Sequence, residues 1–169
     1  NQINFLNRWH SVFKDRHQVI KALAEKEEYN VYFSTFDDLL PEVKFLFGKA
    51  KHIKFEKRCL KEVSKTFTDM KLDVLVYCEI GMDSFSYFLA YMKLAKIQIN
   101  TWGHSDSSGI DTIDYFFSSK LYELPYEQAQ THYSEKLILQ NSLCTSYVNP
   151  ISRHNIVNFK KRYDYGFTD

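Results

Sequence analysis

The chain is expected to fold as an α/β domain built on a doubly wound, mostly parallel sheet, and three observations predict it. Short apolar runs alternate with helical patterns along most of the 169 residues. Several runs are apolar at nearly every position, Val74-Leu75-Val76-Tyr77-Cys78 above all, as expected of a parallel strand covered on both faces. Three of the five glycines, Gly81, Gly103 and Gly109, fall where strong apolar runs stop, and that is the edge at which open α/β sheets bind ligands.

Taken in order, the short run Ile3-Asn4-Phe5-Leu6 reads as the tail of a strand whose start is missing. Ser11 can cap a helix running to about Lys26, with Val12, Val19, Ile20 and Leu23 on one stripe. Strands are expected over residues 31–36, 52–55, 73–80, 97–102, 113–118 and 136–139, with helices over 58–69 and 84–93 between them. Pro125 in a first turn, followed by Glu127, marks a short helix to about His132. The strand ending at Ile80 is the most continuously apolar and is expected to lie centrally. Beyond Pro150 the chain is polar and helix-like, and it stops after residues 163–169 without a closing element, so a larger protein is expected around it.

Composition narrows the partners. Net charge is +1, from 22 basic and 21 acidic residues well mixed along the chain, which argues against a broad electrostatic partner such as duplex nucleic acid or an anionic membrane. The cluster Lys49, Lys51, Lys54, Lys57, Arg58 and Lys61 is interrupted by Glu56 and Glu62 and reads as a solvated face. Cys59, Cys78 and Cys144 are odd in number and widely spaced in apolar settings, and are expected to be free thiols. With no signal peptide or membrane-length apolar run visible, the cytoplasm is the expected location.

The densest polar cluster is Trp102-Gly103-His104-Ser105-Asp106-Ser107-Ser108-Gly109, directly after a strand. Two glycines allow a ligand to approach the backbone, and hydroxyls, a carboxylate and an imidazole offer donors and acceptors, so a small-molecule site is one reading. The other is a set of ordinary turn formers. Ser107 stands where a nucleophile elbow needs its last glycine, and a strand follows instead of a helix, which argues against hydrolase chemistry. His104 and Asp106 alone do not complete a metal shell.

His10 stands between the presumed first strand and the first helix, where the helix dipole disfavours its charged form and the side chain would meet the crevice at the sheet edge. It can be read as a base or a partner for phosphate or sugar, or as an ordinary histidine near a helix start. His17, His52, His132 and His154 have no comparable context. Neither G-x-G-x-x-G nor G-x-x-x-x-G-K-[ST] occurs, so the chain has no recognisable diphosphate cradle of its own.

Residues 73–150 resemble the O-linked N-acetylglucosamine transferase and SPINDLY-like family. The resemblance is carried by Ile80-Gly81-Met82-Asp83, Leu89-Ala90, Ile97-Gln98, Trp102-Gly103-His104, Ser107-Ser108-Gly109, Ile113-Asp114-Tyr115 and Tyr133-Ser134-Glu135-Lys136-Leu137, and more weakly by Trp9-His10-Ser11-Val12. Ser105 departs from it, because family members often have proline there.

That resemblance implies half of a glycosyltransferase B fold: residues 1–150 as a Rossmann-like N-terminal domain, and 151–169 as a connection towards a C-terminal nucleotide-sugar domain. It implies a metal-independent transfer of N-acetylglucosamine from UDP-N-acetylglucosamine to a protein Ser or Thr hydroxyl, with no cofactor besides the sugar donor; fucose is the alternative sugar. His10 then matches a histidine beside the transferred sugar, and Gly81, Gly103, His104, Ser107, Ser108 and Gly109 match the lining of the sugar pocket. The expected partners are the nucleotide sugar, an acceptor protein or peptide, and the missing C-terminal domain. A rival expectation is a non-catalytic interaction module derived from such a half. Gly81, His10 and the 102–109 loop are all expected at one sheet edge.

Overall fold

The computed structural model describes residues 11–146, together with Tyr163 and Gly166. The strand expected at residues 3–6, His10, and most of the expected connecting segment lie outside the described residues. The elements are α1 (Ser11–Ala24), β1 (Tyr32–Thr35), α2 (Pro41–Phe45), β2 (Lys51–Lys54), α3 (Leu60–Met70), β3 (Leu72–Tyr77), α4 (Ser84–Ala90), β4 (Ala95–Thr101), β5 (Tyr115–Ser119), α5 (Tyr126–Gln130) and β6 (Lys136–Gln140).

Every strand pairing among the described residues is parallel, in a two-stranded sheet β1-β2 and a four-stranded sheet β3-β4-β5-β6. In a parallel pair, residues in register project to the same face. One face of the larger sheet carries Tyr77, Gln98, Asn100, Phe116 and Leu137, all buried. Tyr77 packs there with Val63 and Phe67 of α3, Leu89 and Ala90 of α4, and Ile110 and Ile113 of the β4-β5 connection. The opposite face carries Thr101, whose hydroxyl accepts a 2.7 Å hydrogen bond from Arg16 of α1. Helices therefore lie on both sides, and the fold is the doubly wound, Rossmann-like α/β arrangement expected.

β3 does not lie centrally: among the described residues it is an edge strand of the four-stranded sheet. Its apolar run predicted cover on both faces, yet only the side bearing Leu75 and Tyr77 meets the core, while Val74 and Val76 remain 47% and 50% exposed. The stripe on α1 also differs. Phe13, His17, Ile20 and Ala24, spaced 4, 3 and 4 residues apart, face inward, and Phe13 and Ile20 join a cluster with Phe33, Val43 and Phe47. Val19 and Leu23 turn outward.

The sequence signal also missed α2, which is only five residues long and begins with Pro41, a residue preorganised for a first helical turn. Ile113, expected to open β5, is instead buried in the core, and β5 starts two residues later. Cys59, Cys78 and Cys144 are all free. No described helix is long and apolar enough to cross a membrane.

Candidate functional site

β3 leaves the sheet after Tyr77 and turns into α4. The turn is closed by the N–H groups of Met82 and Asp83, which donate to the Glu79 carbonyl at 2.8 and 3.0 Å, and it passes through Gly81 with φ +92°. Asp83 then caps α4 by accepting from the Ser86 N–H at 2.9 Å. Its other oxygen accepts from Arg58 at 2.6 Å, and the Arg58 guanidinium lies 4.8 Å from the centre of the Phe36 ring. α3 begins at Leu60 and not at residue 58, because Cys59 at its N-cap is extended (φ −110°, ψ 109°), while the Arg58 guanidinium lies over the Phe36 and Phe85 rings.

The end of β4 closes on the same place. A Cβ built on Gly103 would lie 1.8 Å from the Cys78 carbonyl oxygen, so the backbone of this turn is pressed directly onto the end of β3. The next residue, His104, covers Gly81, where an added Cβ would lie 2.9 Å from the His104 Cγ. Gly81, Gly103 and His104 thus meet at the carboxyl edge of β3 and β4. The His104 side chain is 45% exposed, with Nδ1 3.6 Å from Asp106 Oδ2 and accepting the Asp106 N–H at 3.4 Å. The neutral ring in this arrangement carries its proton on Nε2.

Ser107 and Ser108 take another direction. The Ser107 hydroxyl donates to Glu135 Oε2 at 2.7 Å, and the Ser108 N–H donates to Glu135 Oε1 at 2.8 Å, with the Ser108 hydroxyl a further donor to the same oxygen. Ser134 adds its hydroxyl to Oε2 at 3.2 Å and its N–H to the Ser107 hydroxyl at 3.0 Å. Burial raises the pKa of Glu135, but the donations from Ser108, Ser107 and nearby backbone N–H groups together outweigh it, and the carboxyl is held below its ordinary value. Glu135 immediately precedes β6, whose first residue is level with Tyr115 and so with Ile99, below the carboxyl end of β4. The loop therefore begins at the carboxyl edge and leaves it through Ser107.

Gly109, with φ +66° and open space around it, lets the chain turn back towards β5. Ser105, Asp106 and Ser107 line a surface depression with His132 and Tyr133 on the outer side of the loop.

Because Glu135 holds two segments together, Glu135→Ala is expected to cost about 2 kcal/mol at neutral pH by leaving several half-buried donors without their acceptor. A carboxyl with a depressed folded pKa contributes stability above its unfolded value of 4.5, and that contribution is lost as pH falls through the folded value. The difference between wild type and variant in urea titrations should therefore shrink from pH 7 to pH 3. An unchanged difference would show that the carboxylate is not what fastens the loop.

Three groups at the same edge carry protons more tightly than their isolated counterparts. Burial, and then the charge of Glu79, pushes the Cys78 thiol up to about 12 and raises the Tyr77 phenol. Glu79 itself is raised to about 7, first by burial and then by the nearby Asp83 carboxylate. In the sequence Glu79 is marked only by its place, a carboxylate directly after the apolar run at residues 74–78 and two residues before Gly81. Glu135 is marked in the same way, as the acid of the Tyr133-Ser134-Glu135 run.

The remaining histidines have local duties. His17 stacks on Phe13 at 4.6 Å between ring centres, and Nε2 of His52 is 2.7 Å from the Thr35 hydroxyl, which itself donates to the Asp37 carbonyl. Among the described residues, no three of His, Cys, Asp or Glu are grouped so as to hold a metal ion.

No family model matches the sequence, and no curated protein matches it. Among solved structures, the chain is similar to a mutant of the Thermobaculum terrenum O-GlcNAc transferase, with a TM-score of 0.67 at 17% identity over 82% of this chain. The chain spans 26% of the length of that protein. At this identity the likeness is one of fold: a parallel α/β unit of the kind found within a glycosyltransferase.

Proposed function

We propose that the chain is the N-terminal Rossmann-like half of a B-fold glycosyltransferase that moves N-acetylglucosamine from UDP-N-acetylglucosamine to Ser or Thr hydroxyls of an acceptor protein. The observation that carries this reading is the meeting of Gly81, Gly103 and His104 at the carboxyl edge, the edge at which such sheets bind ligands, in a fold shared with part of an O-GlcNAc transferase. In the proposed reaction the acceptor oxygen forms a bond to the anomeric carbon as the bond to the diphosphate breaks. His10 contacts the sugar or takes the hydroxyl proton, and the diphosphate leaves stabilised by donors from a second domain. His104 and the backbone at Gly81 and Gly103 supply hydrogen bonds and close approach to the sugar.

One observation favours the rival reading of a non-catalytic module: Ser107 and Ser108 spend their hydroxyls on Glu135 and do not present them at the crevice. The two readings part in a single pair of measurements. Calorimetry of the 169-residue chain with UDP-N-acetylglucosamine should show weak binding or none, since no phosphate-cradling motif is present. A longer protein that joins this chain to a nucleotide-sugar domain should transfer the sugar to a peptide, and His10→Ala should abolish that transfer. Micromolar binding by the chain alone would mean the donor site has been misplaced, and no transfer by the longer protein would favour the module.

A further inference from the structure

Polar atoms buried away from water without a hydrogen-bond partner are uncommon, because each costs the desolvation of the group. Here several occur side by side. Tyr77 and Asn100 are register partners at the carboxyl ends of β3 and β4, and Trp102 lies two residues beyond Asn100, where strand alternation brings a side chain back to the same face. Among the described residues, the Tyr77 hydroxyl, both amide atoms of Asn100, and Trp102 Nε1 are all buried and have no hydrogen-bond partner. Asn100 is 1% exposed and Tyr77 4%. The neighbouring polar residues on this face, in contrast, are satisfied. Gln98 accepts from the Leu94 N–H and donates to the Thr112 carbonyl, and Ser118 donates to Glu123.

We propose that Tyr77, Asn100 and Trp102 form an internal site for neutral hydroxyl groups behind the Gly103 turn, occupied by ordered water or by a hydroxyl of a bound sugar. The chemistry of the set fits that class. A phenol can donate and accept, the amide offers donors and an acceptor, and the indole adds a donor, so the group complements molecules that do both and carries no formal charge to attract an ion. The Tyr77 phenol keeps its proton, since burial and Glu79 both raise its pKa. A water making about three hydrogen bonds is the ordinary occupant of such a place. Only the sugar alternative rests on the transferase reading, and water in the site would stand even if the chain transfers nothing.

The test is water-to-protein cross-relaxation in NMR spectra of the folded 169-residue chain, observed at the Asn100 side-chain amide and the Trp102 indole N–H. Long-lived water cross-peaks at both positions are expected and identify water as the occupant. With N-acetylglucosamine added, replacement of those peaks by peaks to the sugar protons would identify a sugar hydroxyl and support the same site. Asn100→Leu, similar in volume but unable to hydrogen-bond, should lower Tm by about 3 °C, because it strips the occupant of two partners. Absence of both water and sugar cross-peaks in a folded sample overturns the proposal, and a rise in Tm for Asn100→Leu would say the same independently, since removing an unpaired buried amide relieves its desolvation cost.

Discussion

Gly103→Ala is expected to be the most damaging single-methyl change in the described part of this chain. The added Cβ would lie 1.8 Å from the Cys78 carbonyl oxygen and 2.6 Å from the Met82 Cε. The methionine methyl can move aside, but the carbonyl belongs to the end of β3, whose last paired residue, Tyr77, is in register with Asn100. Relief therefore means separating the ends of two neighbouring strands, a distortion of a packed interior that costs about 3 kcal/mol or more. Gly109→Ala provides the comparison: its φ of +66° strains any other residue, but nothing lies within 4 Å of the new methyl. That variant should lose only about 1 kcal/mol. Urea unfolding of the two variants beside wild type checks the ranking, and equal losses would show that the contact between Gly103 and Cys78 is not tight.

This contact also explains which part of the site could be read from the sequence. Gly81 and Gly103 stood out because each ends an apolar run, and the reason they are glycine became visible only with the backbone in place: one carries positive φ beneath His104, and the other touches a carbonyl 25 residues earlier in the chain. Strand positions were legible for a similar reason. Period and apolarity located the six strands among the described residues to within a few residues, since a buried strand has few ways to hide its pattern. Strand order was not legible in the same way. Val74 and Val76 carry the composition of a central strand, whereas their position depends on which segments pair with β3, a long-range fact that no local pattern encodes.

The serines mark the limit of composition as a guide. Ser107 and Ser108 looked like ligand donors because they stand in a polar loop after a strand, and they have equally the right chemistry to satisfy a buried carboxylate. Glu135, 27 residues after Ser108, accepts from both serines, and nothing local to the loop announces it. The same holds for α1, where Val19 and Leu23 fit an apolar stripe on paper. The hydrophobic cluster of Phe33, Val43 and Phe47 instead selected the stripe running through Phe13 and Ile20.

Glu79→Gln is expected to stabilise the protein at alkaline pH and to leave it nearly unchanged in acid. The folded carboxyl is raised to about 7 from an ordinary 4.5, by burial first and by Asp83 second, against the opposing pull of Arg58 and backbone N–H donors. An acid whose folded pKa is raised holds its proton more tightly when folded, so this residue's contribution is fully favourable below pH 4.5. It is lost progressively as pH rises towards 7, and above that the folded state bears an ionised group it disfavours. A shift of this size corresponds to about 3 kcal/mol as an upper figure, and half-burial of the side chain reduces what is realised to about 2 kcal/mol. Glutamine keeps the shape and the hydrogen-bonding capacity and removes the charge. Thermal unfolding of wild type and Glu79→Gln at pH 4, 6 and 8 should therefore diverge, with the variant ahead by several degrees at pH 8 and level with wild type at pH 4. Parallel curves at the three pH values would show that Glu79 titrates in the ordinary carboxylate range, and a variant less stable at pH 8 would show that the ionised carboxylate is paired at this edge.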